Sequence, residues 1–101
     1  MKIQTVGDTL RISEVQELDV ASSNYFRNEA RAALVNGQKN IEIDLSQTRA
    51  LDSCGLGTLI SLHKLTSDRH GLVRLLNPAP PVRQILALTR MHRIFQIVPN
   101  C

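Results

Sequence analysis

Between residues 9 and 15 apolar and polar side chains alternate. Leu10, Ile12 and Val15 fall roughly on one side, and Arg11, Ser13 and Glu14 on the other. A period of two predicts a half-buried strand. Residues 2–6 supply a partner strand, and Gly7-Asp8 supplies a tight hairpin turn between them. The period then changes. Over residues 22–36, Phe26, Ala30, Ala33 and Leu34 share one face at helical spacing, with Ser22 or Ser23 as the cap and Gly37 as the stop. Alternation returns in NIEIDL at 40–45, where Ile41, Ile43 and Leu45 point one way. A short loop, SQTRA, leads into a second helical run from Leu56 to Arg69, ended by Gly71. LVRLL at 72–76 predicts a third strand. NPAPP at 77–81 predicts a turn opening into a helix, whose apolar face is Val82, Ile85, Leu86 and Thr89, and IFQIV at 94–98 predicts a closing strand.

Strands and helices thus alternate along most of the chain, which predicts a small, largely parallel sheet with helices packed against it. The N-terminal hairpin adds an antiparallel edge. In such a sheet the loops that follow the strand C-termini gather at one edge and carry function. The segment LDSCGLG (51–57) follows the strand NIEIDL and belongs to that edge.

Length and composition narrow the class. A chain of 101 residues, 43% hydrophobic and 21% charged, predicts one soluble globular domain over 1–101. No apolar run is long enough to cross a bilayer, and the first residues lack a signal-peptide pattern, so the expected location is cytoplasmic, without membrane insertion. Cys54 and Cys101 sit in no metal-binding spacing, and His63, His70 and His92 are scattered, so no metal is expected. The net charge of +3 is unevenly placed. Residues 1–52 carry six basic and eight acidic side chains, whereas residues 53–101 carry six basic side chains and only Asp68 as an acid. That asymmetry suits an acidic partner, but the cations never form a run and the chain has only three aromatic residues, so no nucleic-acid partner is expected.

Several chemistries compete for LDSCGLG. Ser53 is no hydrolase elbow, and His63, ten residues along a helix, lies about 15 Å away, so no catalytic triad forms and no enzyme is expected. Gly55 and Gly57 free backbone N–H groups at a helix N-terminus, which suits a phosphate or nucleotide, but the lysine of a P-loop is missing. A phosphorylated Ser53 would place about −2 charge on an exposed edge and repel a partner. The same residues also serve as an ordinary cap and close-packing glycines, with no further role.

A strand ending I-D-L, a short loop and then L-D-S-C-G-L-G-T-L resembles the STAS domain family, which includes the bacterial anti-sigma factor antagonists. Asp44, Leu45, Asp52, Ser53, Gly55, Leu56 and Leu59 carry the resemblance, and Glu17-Leu18-Asp19 matches an earlier family motif. The resemblance implies an α/β fold: a small mixed, largely parallel four- to five-stranded sheet with helices mainly on one face. It implies that Ser53 is phosphorylated by an anti-sigma factor with serine kinase activity, that a phosphatase resets it, and that the unmodified form binds the kinase and frees a sigma factor. No cofactor and no catalysis of its own are implied. Asp19, Asp52, Ser53, Cys54, Gly55, Leu56 and Gly57 are the implied partner-binding residues. Three departures stand out: Gln16 where the family commonly has glycine, Cys54 where it often has Ser, Thr or Ala, and a second half without the acidic character some relatives carry, which bears on the partner's charge. Other STAS proteins are fixed subunits of larger assemblies, such as lipid-transport ATPases or stress-signalling complexes. That reading keeps the fold without the switch. A small phosphate- or nucleotide-binding protein is the alternative of another class. The sequence does not disclose an oligomeric state.

Overall fold

The computed structural model describes residues 1–34 and 37–98. Strands β1 (Lys2–Val6) and β2 (Thr9–Ser13) form the expected antiparallel hairpin, with Val6 opposite Thr9 and Gly7 supplying the positive φ of +62° that the turn needs. Glu14, at φ +57°, breaks β2 short of the expected residue 15. A two-residue strand, β3 (Glu17–Leu18), and helix α1 (Ser23–Ala33) follow. Next come β4 (Asn40–Asp44), a second two-residue strand β5 (Ala50–Leu51), and helix α2 (Ser53–Ser67). Strand β6 (Val73–Leu76), helix α3 (Pro80–Leu88), a 3-10 turn at Met91–Arg93 and strand β7 (Gln96–Val98) complete the order. The last two positions expected in the first helix, and Cys101, lie outside the described residues.

The main sheet has five strands in the order β1-β2-β4-β6-β7. Only β1–β2 is antiparallel, and β2–β4, β4–β6 and β6–β7 are parallel. One face is sealed. Leu10 and Ile12 from β2, Ile41 and Ile43 from β4, and Val73 and Leu75 from β6 are fully or almost fully buried and pack with Phe26, Leu59, Leu62, Val82 and Leu86 from the helices. The helices therefore lie on that face, as expected. The opposite face carries one row of polar side chains across four strands. Arg11 Nη2 bonds Glu42 Oε1 at 3.0 Å, Arg74 Nη1 bonds Glu42 Oε2 at 3.1 Å, and Arg74 Nε bonds Gln96 Oε1 at 2.9 Å. Register puts these residues side by side, so period-two alternation alone decides which face is oily and which is charged.

Two elements differ from the sequence reading. The segment read as a plain loop before LDSCGLG contains β5, paired in parallel with β3 (Glu17 with Ala50, Leu18 with Leu51). Two residues are too few to leave a periodic signal. The second helix begins at Ser53 rather than Leu56. Ser, Cys and Gly are poor helix formers, but a cap and a close contact described below hold the extra turn in place.

Candidate functional site

The pairing of β3 with β5 brings two distant acids to one sheet edge. Asp19 follows β3 directly, and Asp52 follows β5 directly. The backbone N–H of Asp52 continues the small ladder by donating to the Leu18 carbonyl at 3.2 Å. The connection before β5 is fastened as well. The buried Thr48 hydroxyl donates to the Val15 carbonyl, and Arg49 N donates to the Gln16 carbonyl at 2.8 Å. These bonds place the segment leading to Ser53 against the segment leading to Asp19.

Asp52 is the N-cap of α2 and spans the gap between the two segments. Its Oδ1 accepts from Gly55 N at 3.0 Å, satisfying one of the orphan donors of the first turn. Its Oδ2 accepts from Val20 N at 2.9 Å, in the loop between β3 and α1. Asp19 organises that loop from within. Its Oδ1 accepts from Ala21 N at 3.2 Å, Ser22 N at 3.1 Å and the Ser22 hydroxyl at 2.9 Å, while Ser22 Oγ also accepts from Asp19 N. Both carboxylates are thus committed to backbone donors.

Gly55 is where the helix touches the sheet edge. A Cβ at Gly55 would overlap the Leu18 carbonyl oxygen and come within 2.9 Å of Leu51 Cδ1. Gly57 meets nothing within 4 Å at the same test, so the two glycines have different reasons to be there. Close packing accounts for Gly55 and not for Gly57.

Ser53 is the first residue of α2 and is exposed, as are Cys54 and Gly57. Asp19, Asp52 and Leu56 are half-buried, and Gly55 is buried. The edge therefore brings all seven candidate residues together, but of these only Ser53, Cys54 and Gly57 are exposed. One exposed apolar residue beside them was not singled out from sequence. Val20 is 72% exposed, and its N–H is tied to Asp52. Gln16, exposed, lines a cleft of about 450 Å³ alongside, together with Glu14, Glu17, Ser22 and Tyr25.

His63 sits ten residues beyond Ser53 down the same helix and packs edge-on against Phe95, with ring centroids 5.8 Å apart. Among the described residues no three His, Cys, Asp or Glu side chains converge as metal ligands, and no helix is long and apolar enough to cross a membrane. What the edge offers is an exposed serine at a capped helix start, presented beside a hydrogen-bonded loop.

Comparison with known proteins places this geometry. A family model described as STAS domain matches residues 1–101. An anti-sigma F factor antagonist of Paenibacillus polymyxa is 28% identical over 85 residues, covering 83% of this chain and 73% of that protein. The crystal structure of a candidate anti-sigma factor antagonist of Thermotoga maritima superposes with a TM-score of 0.89 at 26% identity, over 98% of this chain and 86% of that one. The anti-sigma factor antagonist SpoIIAA in its unphosphorylated form superposes with a TM-score of 0.82 at 20% identity, over 98% and 88% of the two chains, a likeness of fold.

Proposed function

The chain belongs to the STAS domain family, and on that premise we propose that it is a partner-switching regulator of the anti-sigma factor antagonist type. In this reading the unmodified protein binds an anti-sigma factor that is also a serine kinase, and so frees a sigma factor. The kinase phosphorylates Ser53, the complex separates, and a phosphatase restores the hydroxyl. The protein itself is a binding partner and substrate, not a catalyst, and it acts in the cytoplasm. The similarity to the Paenibacillus polymyxa antagonist supports the class of partner.

The observation that carries the reading is the exposure of Ser53 at the first position of α2, on the edge where Asp52 and Asp19 are already committed to backbone N–H groups. A kinase can reach the hydroxyl without unfolding anything. The added phosphate stands next in sequence to a carboxylate that already caps the helix, so the macrodipole, worth roughly 0.3–1 kcal/mol to an anion, offers it little new stabilisation. The charge is instead presented outward, where a docked partner meets like charge or desolvation. Such a clash costs several kcal/mol, and 1.4 kcal/mol is tenfold in affinity.

The test is intact-mass measurement after incubation with ATP and extract of the source cells. A gain of one phosphoryl group that disappears in Ser53→Ala supports the switch, and a gain that persists in that variant refutes it. Ser53→Asp then lowers capture of the partner from extract. A partner that co-purifies equally with wild type, Ser53→Ala and Ser53→Asp assigns the chain to a fixed assembly instead, and nucleotide binding by the isolated protein assigns it to the phosphate-binding class.

A further inference from the structure

The charge asymmetry of the sequence becomes a spatial one in the fold. Strands β2, β4, β6 and β7 run parallel, so their C-terminal ends share the edge with Ser53 and their N-terminal ends share the opposite end of the molecule. Glu14, Asp19, Asp44 and Asp52 follow or finish strands, Glu17 opens the short strand β3, and all five lie at the Ser53 edge. The far end is built from the C-terminal parts of α2 and α3 and the 3-10 turn. From residue 69 onward the sequence contains no acid at all. Of the acids at this end, Asp8 is within 3.9 Å of Lys39, and Asp68 closes α2.

Cations and apolar side chains face water there, together with the exposed Asp68, one turn beyond Lys64, and the exposed His92. Lys64, Arg90 and Arg93 are exposed and take part in none of the ion pairs among the described residues. Leu88, the last residue of α3, is 76% exposed, and Ile94 is 38% exposed. Arg90, at φ +58°, lies between them and forms the corner between α3 and the 3-10 turn. The contact of His63 with Phe95 ties this corner to the lower half of α2, next to Lys64.

We propose that this basic, partly apolar end docks the domain peripherally on an anionic lipid surface, with Leu88 seated in the headgroup layer and Lys64, Arg90 and Arg93 paired with lipid phosphates. Charge complementarity selects the occupant. A second copy joined through the same corner would set arginines against arginines. Nucleic acid would leave Leu88 and Ile94 without use and finds at this corner no exposed ring larger than the His92 imidazole for its bases, since Phe95 is buried. An exposed apolar residue with cations close by in sequence, Arg90 two and Arg93 five positions beyond Leu88, suits an interface of headgroups and acyl chains. The contact is peripheral, and no helix among the described residues crosses a bilayer. The geometry leaves the switch free. Along α2 even Lys64, the named cation of this helix, stands about 16 Å from Ser53, beyond the screening length of about 8 Å at physiological salt.

The test is sedimentation of the purified protein with vesicles of phosphatidylcholine alone and of phosphatidylcholine mixed with phosphatidylglycerol. Binding to the mixed vesicles only, weakening with added salt, is expected. Each of Arg90→Gln and Arg93→Gln should lower the partition coefficient about fivefold, with circular dichroism confirming an unchanged fold. The chain has no tryptophan, so Leu88→Trp provides a unique fluorophore whose emission should shift to the blue on the mixed vesicles. Ser53→Glu should bind the vesicles as wild type does. Equal binding to both vesicle types, an unshifted Leu88→Trp emission, or full binding by the double arginine variant overturns the proposal. Retention on immobilised polyglutamate without vesicle binding also overturns it and assigns the surface to an acidic protein.

Discussion

Replacing Gly55 and Gly57 separately by alanine distinguishes two roles that the sequence writes identically. Both lie within α2, where alanine is better than glycine by about 1 kcal/mol. At Gly57 nothing opposes that gain, because a Cβ there has no neighbour within 4 Å. Gly57→Ala should therefore stabilise the protein by up to ~1 kcal/mol. At Gly55 the new methyl runs into the Leu18 carbonyl, and its neighbours cannot yield cheaply. Leu18 is fully buried, and its oxygen already accepts from Asp52 N at 3.2 Å. The start of α2 must lift from the sheet edge. Overpacking costs about 1–3 kcal/mol, and a backbone clash belongs at the upper end. Loss of the Asp52–Gly55 cap adds ~1 kcal/mol. Against the gain in helix propensity, Gly55→Ala should lose about 3 kcal/mol net. For a domain of this size each kcal/mol moves Tm by roughly 4–8 °C, so the two variants should separate by well over 10 °C in opposite directions in a thermal melt, with urea titration as an independent check. Equal upward shifts for both would refute the close-contact account of Gly55, and with it the claim that this contact positions Ser53.

Asp52→Ala should lose about 1–3 kcal/mol in urea unfolding, because Gly55 N and Val20 N both lose their acceptor. Amide exchange at Val20 should quicken at the same time. His63 has a buried Nδ1 without a hydrogen-bond partner, so His63→Leu should match or exceed wild-type stability, the orphaned polar atom costing about 1–3 kcal/mol where it stands. A clear loss in that variant would show that the edge-on contact with Phe95 outweighs the orphaned nitrogen. Ser53→Asp should change stability by less than about 1 kcal/mol, since the helix N-terminus already holds the Asp52 carboxylate. A melt shifted by 10 °C in either direction would show that a negative charge at position 53 acts on the fold itself.

Much of this fold was legible because its main strands are half-buried. Leu10 and Ile12, Ile41 and Ile43, Val73 and Leu75 alternate with Arg11, Glu42 and Arg74, and the structure uses one set to seal the core and the other to build a charged row on the open face. Helix positions followed the same logic through Phe26, Ala30, Leu59 and Leu62. Illegible features were those set by tertiary contact. The strands β3 and β5 have two residues each, and neither has a pattern of its own. The early start of α2 runs against the propensities of Ser, Cys and Gly, and depends on a carboxylate shared with Val20, an amide far away in sequence. The site shows the same division. Motif position brought Asp19, Asp52 and Ser53 together, but not the commitment of both acids to backbone donors, nor Val20 standing exposed beside them.

That commitment bears on how a single charge can act as a switch. A carboxylate left free beside Ser53 could rotate toward or away from a new phosphate, and part of the perturbation would be absorbed within the domain. Asp52 lacks that freedom, because its two oxygens hold two different segments, and turning either one away leaves an amide without its acceptor. The buried contact of Gly55 with Leu18 restrains the helix start in the same way. The edge is therefore stiff at the point where charge would be added. In a stiff, already capped edge the electrostatic change is not dissipated by rearrangement and falls on whatever is docked there. On the proposed reading, the same features that look like ordinary capping and packing would let one hydroxyl control a protein–protein contact.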